Sequence, residues 1–437
     1  MHFIGNNGHA NIDNFAELYS ISTFSKMVSA RFSFFSRWLI FELEPYNIIQ
    51  SKPRSIYDSN KILANTNNHL NKNTDYKRDI YGLKQSQIFL HYNGFGIGYG
   101  KMSHWWGPGF HSSLVLSTNA PSQETYTIGT FKDILIGKFG FGAKVIIMPY
   151  ISSEKNQLYF SGLKASITYF SNPIINFGLH RTYLSGDFSD ASQNNNIEKW
   201  TMQDAFRLVI DPIFGQSKQN LSYTNPNTPG FDAWDQIISI YTKLIFPNNN
   251  FEIYFDIASD DNRANLTDLR AHWDHTLGYQ MGFKKLFSFD NIKILLGLEY
   301  LTTRVSNTFK KSFYRGNPNT ANFYSKSRYD YSTFKGRLMG AHSGSSSDDF
   351  IIMFGIQNKN FVSIFSYNKE RHGLKLDTNP ELKSEYLLTF QKYLTNNKSL
   401  SVTFEYEKIN HFAFIQNKTS KSKLLWLSYS LYLNNKE

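Results

Sequence analysis

The chain of 437 residues contains no cysteine. Disulfides and thiolate metal sites are therefore excluded. No segment approaches the ~20 consecutive apolar residues that a membrane-spanning helix needs, and mean hydropathy is negative. A helical membrane protein is excluded, but a β-barrel is not, because its strands need only ~9–11 residues with alternate positions apolar. Residues Met1 to His9 have neither a basic n-region nor an apolar stretch. They do not read as a signal peptide, so a barrel built from this sequence requires a leader upstream or already removed. Neither Gly-x-Ser-x-Gly nor His-Glu-x-x-His occurs, which removes two hydrolase signatures. No repeat of fixed period is present, which weakens a propeller. One continuous domain over residues 1–437 is the simplest organisation.

What is plentiful is aromatic: 38 Phe, 27 Tyr and 7 Trp, of which Phe and Tyr favour strands. The 46 basic and 35 acidic residues give a formal net charge of +11. That balance suits an anionic partner such as acidic polysaccharide or lipopolysaccharide phosphate. Nucleic acid ranks low, since no basic block or nucleic-acid module stands out.

Period-two patterning recurs along the chain. In Phe251-Glu-Ile-Tyr-Phe-Asp-Ile, positions 251, 253, 255 and 257 are apolar; Ile292, Ile294, Leu296, Leu298 and Tyr300 alternate with Lys293, Gly297 and Glu299. Val402, Phe404 and Tyr406 alternate with Ser401, Thr403, Glu405 and Glu407, and Leu425, Leu427, Tyr429, Leu431 and Leu433 do so at the end of the chain. Such a pattern means a sheet with one wet side. A soluble sandwich would turn the apolar face inward, a transmembrane barrel outward to lipid. Three features favour the barrel: charges on the polar positions of long strands, aromatics near strand ends, and a last strand able to close the sheet with the first. Other expectations concern single segments. Residues 14–50 predict one or two strands, with the aromatic run Ala30–Leu43 bounded by Glu44-Pro45. Residues 51–82 read as a polar rim loop, with a short helix near Ile56–Ala64. Ser86–Tyr92 and Phe95–Gly100 form a hairpin about Asn93-Gly94.

Residues His104 to Ala120 hold two adjacent tryptophans, Trp105 and Trp106, before Gly107-Pro108-Gly109. Pro108 fixes its own φ, and the glycines allow positive φ or close backbone approach. The stretch predicts a tight corner braced by aromatic rings, followed by a short strand-like run from Ser113 to Ser117. The alternative is an aromatic platform for sugar stacking, which suits tryptophan's flat apolar face.

Trp105-Trp-Gly-Pro-Gly109 followed by Ser113, Leu114, Ser117, Asn119 and Ala120 resembles the signature of the capsule assembly Wzi family of outer-membrane β-barrels. Gly82–Leu90, Phe251–Asp261, Trp273–Gly282 and Gly336–Asp348 resemble further family segments in order. The resemblance implies an all-β fold, a large antiparallel transmembrane β-barrel of about 18 strands with short helical pieces in its loops. It also implies an outer-membrane location and attachment of capsular polysaccharide, as a lectin rather than an enzyme. The family's leader and helical plug are not visible before residue 14, and Lys101-Met-Ser-His104 stands where the family often has an acidic-amide pair. Open alternatives are a porin or glycan-uptake channel, and a soluble β-rich polysaccharide enzyme.

The residues for polysaccharide binding or the lumen are Trp105, Trp106, Arg181, Asp260, Asp261, Arg304 and His342. Arg181, a bidentate donor, suits an acid across the lumen or a sugar carboxylate. Asp260 and Asp261 with Asp256 and Glu252 meet the two-carboxylate requirement of glycoside hydrolysis only formally; solvated turn acids are the simpler reading. His272 and His275 fall on opposite faces of a strand and do not converge on a metal. No catalytic residue, metal or cofactor is expected. The expected partners are acidic surface polysaccharide and outer-membrane lipid or lipopolysaccharide, with the chain a monomer.

Overall fold

A computed structural model describes residues 1–9, 13–14, 17, 23–50, 80–153, 156–186, 235–260, 277–304, 323–324, 332–334, 337–374, 379–395 and 397–432. Counting an interrupted strand once, these residues form eighteen long strands. They are β1 (His2–Asn6), β2 (Thr23–Ser29 continued by Phe32–Phe35), β3 (Leu39–Leu43 continued by Pro45–Gln50), β4 (Tyr81–Leu83 continued by Ser86–Tyr92), β5 (Phe95–Met102) and β6 (Gln123–Thr130 continued by Ile134–Ile136). Next come β7 (Phe139–Ser153), β8 (Asn156–Tyr169), β9 (Ile174–Gly186), β10 (Asp235–Phe246), β11 (Phe251–Asp260) and β12 (Leu277–Phe289). The last are β13 (Ile292–Thr302), β14 (Asp348–Gln357), β15 (Phe361–His372), β16 (Glu381–Thr395), β17 (Lys398–Asn410) and β18 (Thr419–Leu431). Each pairs antiparallel with its sequence neighbour. The ladder then returns to its start, since β18 pairs with β1 from His2↔Ser428 to Asn6↔Leu424. Closure leaves no sheet edge to seek a partner.

Several sequence expectations are corrected in detail. The strand breaks at Glu44, as expected, but pairing resumes at Pro45. The aromatic run turns back at Ser36–Trp38, and β3 continues past Pro45. Its neighbours are interrupted at the same level, at residues 30–31 in β2 and 84–85 in β4. Gln85 adopts a φ of 45° there, and the Ser86 hydroxyl accepts the Glu44 N–H at 2.8 Å. A side chain thus replaces a ladder bond at the kink. Tyr81 and Gly82, read as loop, begin β4, while residues 51–79 lie outside the described residues. Ser113–Ser117 is not a strand: it holds one isolated bridge, Trp106↔Leu116.

The sheet's orientation follows from burial. On β11, Ile253 and Phe255 are each 43% exposed, whereas Asp256 and Ala258 are 0% exposed. On β17, Phe404 is exposed while Glu405 and Glu407 are buried; on β18, Leu425, Leu427, Tyr429 and Leu431 are exposed. The apolar face therefore looks outward and the polar face inward, as a barrel in lipid requires. One rim carries tight turns such as Asn93-Gly94 and Asp290-Asn291, ringed by exposed Phe35, Trp38, Tyr92, Phe95, Phe139 and Phe289. The opposite rim carries the long connections.

A direct test is Phe255→Arg at mid-strand. Burying an unpaired cation in hydrocarbon is expected to cost about 2–4 kcal/mol, read by urea unfolding in lipid vesicles. Phe255→Leu should stay within about 1.5 kcal/mol of wild type.

Candidate functional site

Two long connections fold back into the lumen. The first, residues 103–122, runs from β5 to β6 and carries the double tryptophan. The second joins β13 to β14 and contributes Phe323, Tyr324 and residues 337–347. Together they bury Trp106, Leu114, Val115, Leu116, Phe323, Tyr324, Leu338 and Met339 in one apolar cluster. The inner wall leaves room for it with glycines. A Cβ on Gly162 would lie 2.8 Å from the Trp106 ring, and one on Gly278 would lie 2.9 Å from Leu114.

The signature residues tie the connections to each other and to the wall. Trp105 Nε1 donates to the Gly109 carbonyl at 3.0 Å and braces the corner. Trp106 is enclosed and stacks on His180 at 5.7 Å between ring centroids, so its face meets a wall residue. At Gly109 the need is close approach, because a Cβ there would fall 2.0 Å from Gln280 Nε2. Ser117 donates through its backbone N–H to the Met339 carbonyl at 2.6 Å and through Oγ to the Gly340 carbonyl at 2.5 Å. Asn119 Nδ2 donates to the Leu338 carbonyl at 2.9 Å, and its Oδ1 accepts from Arg337 at 2.7 Å.

Glu299 on β13 is the principal anchor of the first connection. Its carboxylate accepts three successive backbone N–H groups, from Phe110 at 2.7 Å, His111 at 3.2 Å and Ser112 at 2.8 Å. It also accepts the Tyr254 hydroxyl at 2.5 Å and Gln280 Nε2 at 2.9 Å. A charged acceptor for several donors of a tight turn is a strong, charge-assisted arrangement. Three of its five partners are backbone donors, which no side-chain pattern reveals.

Asp260 plays the matching role for the second connection, accepting the Tyr324 N–H at 2.5 Å. The Tyr324 hydroxyl donates to the Leu114 carbonyl at 2.5 Å and accepts the Ala341 N–H at 2.9 Å, linking the two connections. Burial raises the pKa of this phenol, so it stays a donor. Glu252 sits between Lys243 at 3.2 Å and Lys284 at 2.7 Å. Of the carboxylates considered for hydrolysis, Asp260 and Glu252 are thus engaged in holding structure. Asp261, His272 and His275 lie outside the described residues.

Among the described residues, Arg181 has no acid partner across the lumen. It lies inside β9 in register with Leu163 and Ile238, on the face that carries exposed Phe177. Its guanidinium bonds Gln236 Oε1 at 3.0 Å, lies 4.8 Å from the centroid of the Tyr183 ring and meets the Tyr183 hydroxyl. Period-two alternation overrides the affinity of Arg for acids here. Arg304 is exposed just beyond β13 at the rim of long connections. His342 is buried in the second connection.

A second polar cluster went unnoticed in the sequence because its members are far apart along the chain. Lys383 on β16 is buried among Glu370 at 2.9 Å, Glu385 at 3.2 Å, Glu407 at 3.2 Å and Asp13. Burial alone would raise the pKa of Asp13, but the Lys383 ammonium holds it well below the usual carboxylate range. The inward alternate positions of β15 to β17 carry the only local signal.

His104, at the start of the first connection, faces Thr125 Oγ1 at 3.3 Å. Burial, then the nearby Lys144 and Lys164, push its pKa down from 6.5 to about 3. The folded protein therefore keeps this imidazole neutral where the unfolded chain protonates it. Its stabilising contribution is present above pH 6.5 and is lost as pH falls toward about 3. His104→Gln is expected to flatten part of the fall in thermal midpoint across that window; a slope equal to wild type would refute the assignment.

Comparison with known proteins agrees with this architecture. Sequence comparison with curated proteins finds no match. Among solved structures, the chain resembles Wzi of Escherichia coli, described as an outer-membrane protein involved in group 1 capsule assembly and a carbohydrate-binding β-barrel. The TM-score is 0.60 at 9% identity, over 98% of this chain and 84% of that one. OccAB1 of Acinetobacter baumannii aligns with a TM-score of 0.46 at 9% identity, over 98% of this chain and 94% of that one. The family model described as Capsule assembly protein Wzi matches residues 44–425, which include both in-folded connections and run from within β3 to within β18. By that match, the chain belongs to the Wzi family of capsule assembly proteins.

Proposed function

We propose that this protein binds acidic capsular or other surface polysaccharide as a lectin, and so retains or helps assemble a capsule on the cell. It is an outer-membrane β-barrel of the Gram-negative type. The observation that carries the reading is the family signature folded as a lumen plug: Trp105 to Ala120 is spent on closing the barrel, which suits an anchor better than a diffusive channel. The net charge of +11 favours an anionic glycan. Long connections of outer-membrane barrels face the cell exterior, which puts exposed Arg304 on the side a capsule occupies, where its planar fork suits a sugar carboxylate. The protein works without catalysis and as a monomer held by lipid and lipopolysaccharide.

Detergent-purified protein on an array of acidic and neutral polysaccharides tests this. Binding should favour the acidic glycans, weaken as salt shortens the Debye length below about 8 Å, and fall for Arg304→Ala. No retention of any acidic polysaccharide at low salt would defeat the proposal.

A further inference from the structure

Where the two connections meet the barrel wall, three side chains from three separate elements converge. His111 comes from the first connection, His342 from the second and Asp349 from β14. Asp349 Oδ2 lies 3.4 Å from His111 Nε2 and 3.2 Å from His342 Nε2, and one ligand atom from each of the three residues lies within 4.8 Å of the others. Glu370 Oε1 on β15 is 3.7 Å from His342 Nε2. Bond lengths of about 2.0–2.2 Å in a tetrahedral zinc site put neighbouring ligand atoms about 3.3–3.5 Å apart. The two histidine–Asp349 separations lie close to that spacing.

The hydrogen bonding points the same way. His342 and Asp349 are each 2% exposed, and His342 Nε2 and Asp349 Oδ2 face each other at 3.2 Å without a hydrogen bond of normal geometry, whereas Glu370 Oε1 already meets the Lys383 ammonium at 2.9 Å. Buried polar atoms are rarely left so, and each costs about 1–3 kcal/mol when they are. Asn368 Nδ2 donates to Asp349 Oδ1 at 2.9 Å, which turns Oδ2 toward the histidines. Such an orienting partner is what a metal-bound carboxylate needs. The same amide contacts His111 Nε2, a contact that a cation on that nitrogen displaces. The neighbouring cluster of Asp13, Glu385 and Glu407 is different, because the Lys383 ammonium already fills it.

We propose that His111, His342 and Asp349, with Glu370 in reach, bind one divalent zinc-type cation that staples both in-folded connections to the barrel wall. Two imidazoles with carboxylates select zinc or a similar borderline ion over calcium or magnesium, which take oxygen ligands. Occupancy of this site is independent of glycan binding.

The test uses the full chain purified in detergent, loaded with zinc, freed of excess metal by gel filtration and analysed for metal by mass spectrometry. Heat-modifiable electrophoretic mobility reports folding in the same samples. Wild type should retain about one zinc per chain, and EDTA should lower its thermal midpoint. Folded His111→Gln, whose substitution lies in a connection, should retain none and ignore EDTA; His342→Gln is the second variant. Cobalt in place of zinc should give the visible absorption of a tetrahedral site in wild type alone. Folded wild type that retains no zinc, or a folded His111→Gln protein that retains as much as wild type, overturns the proposal.

Discussion

Replacing Glu299 by alanine is expected to free the first in-folded connection while leaving the barrel assembled. One buried carboxylate satisfies the N–H groups of Phe110, His111 and Ser112, the Tyr254 hydroxyl and the Gln280 amide. Its removal orphans five donors at once. A buried donor without an acceptor costs about 1–3 kcal/mol, so the docked position of this segment should lose several kcal/mol. The ladder bonds of β13 to β12 and β14 involve only backbone and are untouched. In planar bilayers, wild type should pass little current and Glu299→Ala should open long-lived conducting states. Limited proteolysis of the variant should cut within residues 103–122. Glu299→Gln keeps one carbonyl acceptor and should fall between the two. Wild-type conductance and cleavage pattern in a folded Glu299→Ala protein would refute the anchoring role.

Lys383→Met should harm the barrel itself. Lys383 is buried with Glu370, Glu385, Glu407 and Asp13 around it, and β16 joins β15 to β17 through this level. An ammonium among carboxylates is weak evidence of net stability, but removing it alone leaves uncompensated buried negative charge. Breaking a buried pair in this way costs about 3–5 kcal/mol, and here four acids lose their cation together. The variant should refold poorly at neutral pH and recover as acid protonates the cluster, the opposite of the acid sensitivity expected from His104. Lys383→Met combined with Glu370→Gln should recover part of the loss, since the two sites are in contact and their effects are not additive. Thermal midpoints across pH, with the double variant as the cycle's fourth corner, measure it. A Lys383→Met protein as stable as wild type at neutral pH would show that the cluster contributes nothing.

Much of the fold was legible because a barrel strand writes its environment in a two-residue code. Ile253 and Phe255 against Asp256, and Phe404 against Glu405 and Glu407, place lipid and lumen on opposite sides from sequence alone. The hairpin at Asn93-Gly94 was legible for a similarly local reason, since few residue pairs take its turn. The break at Glu44 was legible, but not that pairing resumes at Pro45 with the Ser86 hydroxyl accepting the Glu44 N–H across the break. Arg181 was misassigned because its chemistry was weighed above its parity in β9.

The site was less legible. The double-tryptophan corner was visible as a rigid feature, and the family resemblance gave it a context. That its partners are Gly162, His180 and Glu299 could not be read, because those contacts join residues on strands that are not neighbours in the ladder. His111, His342 and Asp349 stand in three unrelated stretches, with none of the short spacings that mark a metal motif.

By itself, then, the amino-acid sequence determined the strand type, the outward apolar face, the aromatic rims and the absence of thiol chemistry, since each depends on nearest neighbours along the chain. Tertiary structure alone decided that β18 returns to β1 and that two connections turn inward to fill the lumen. It also decided which buried charges meet there. Those outcomes depend on contacts between distant segments, whose pairing energy appears only once closure has brought them within a few ångströms.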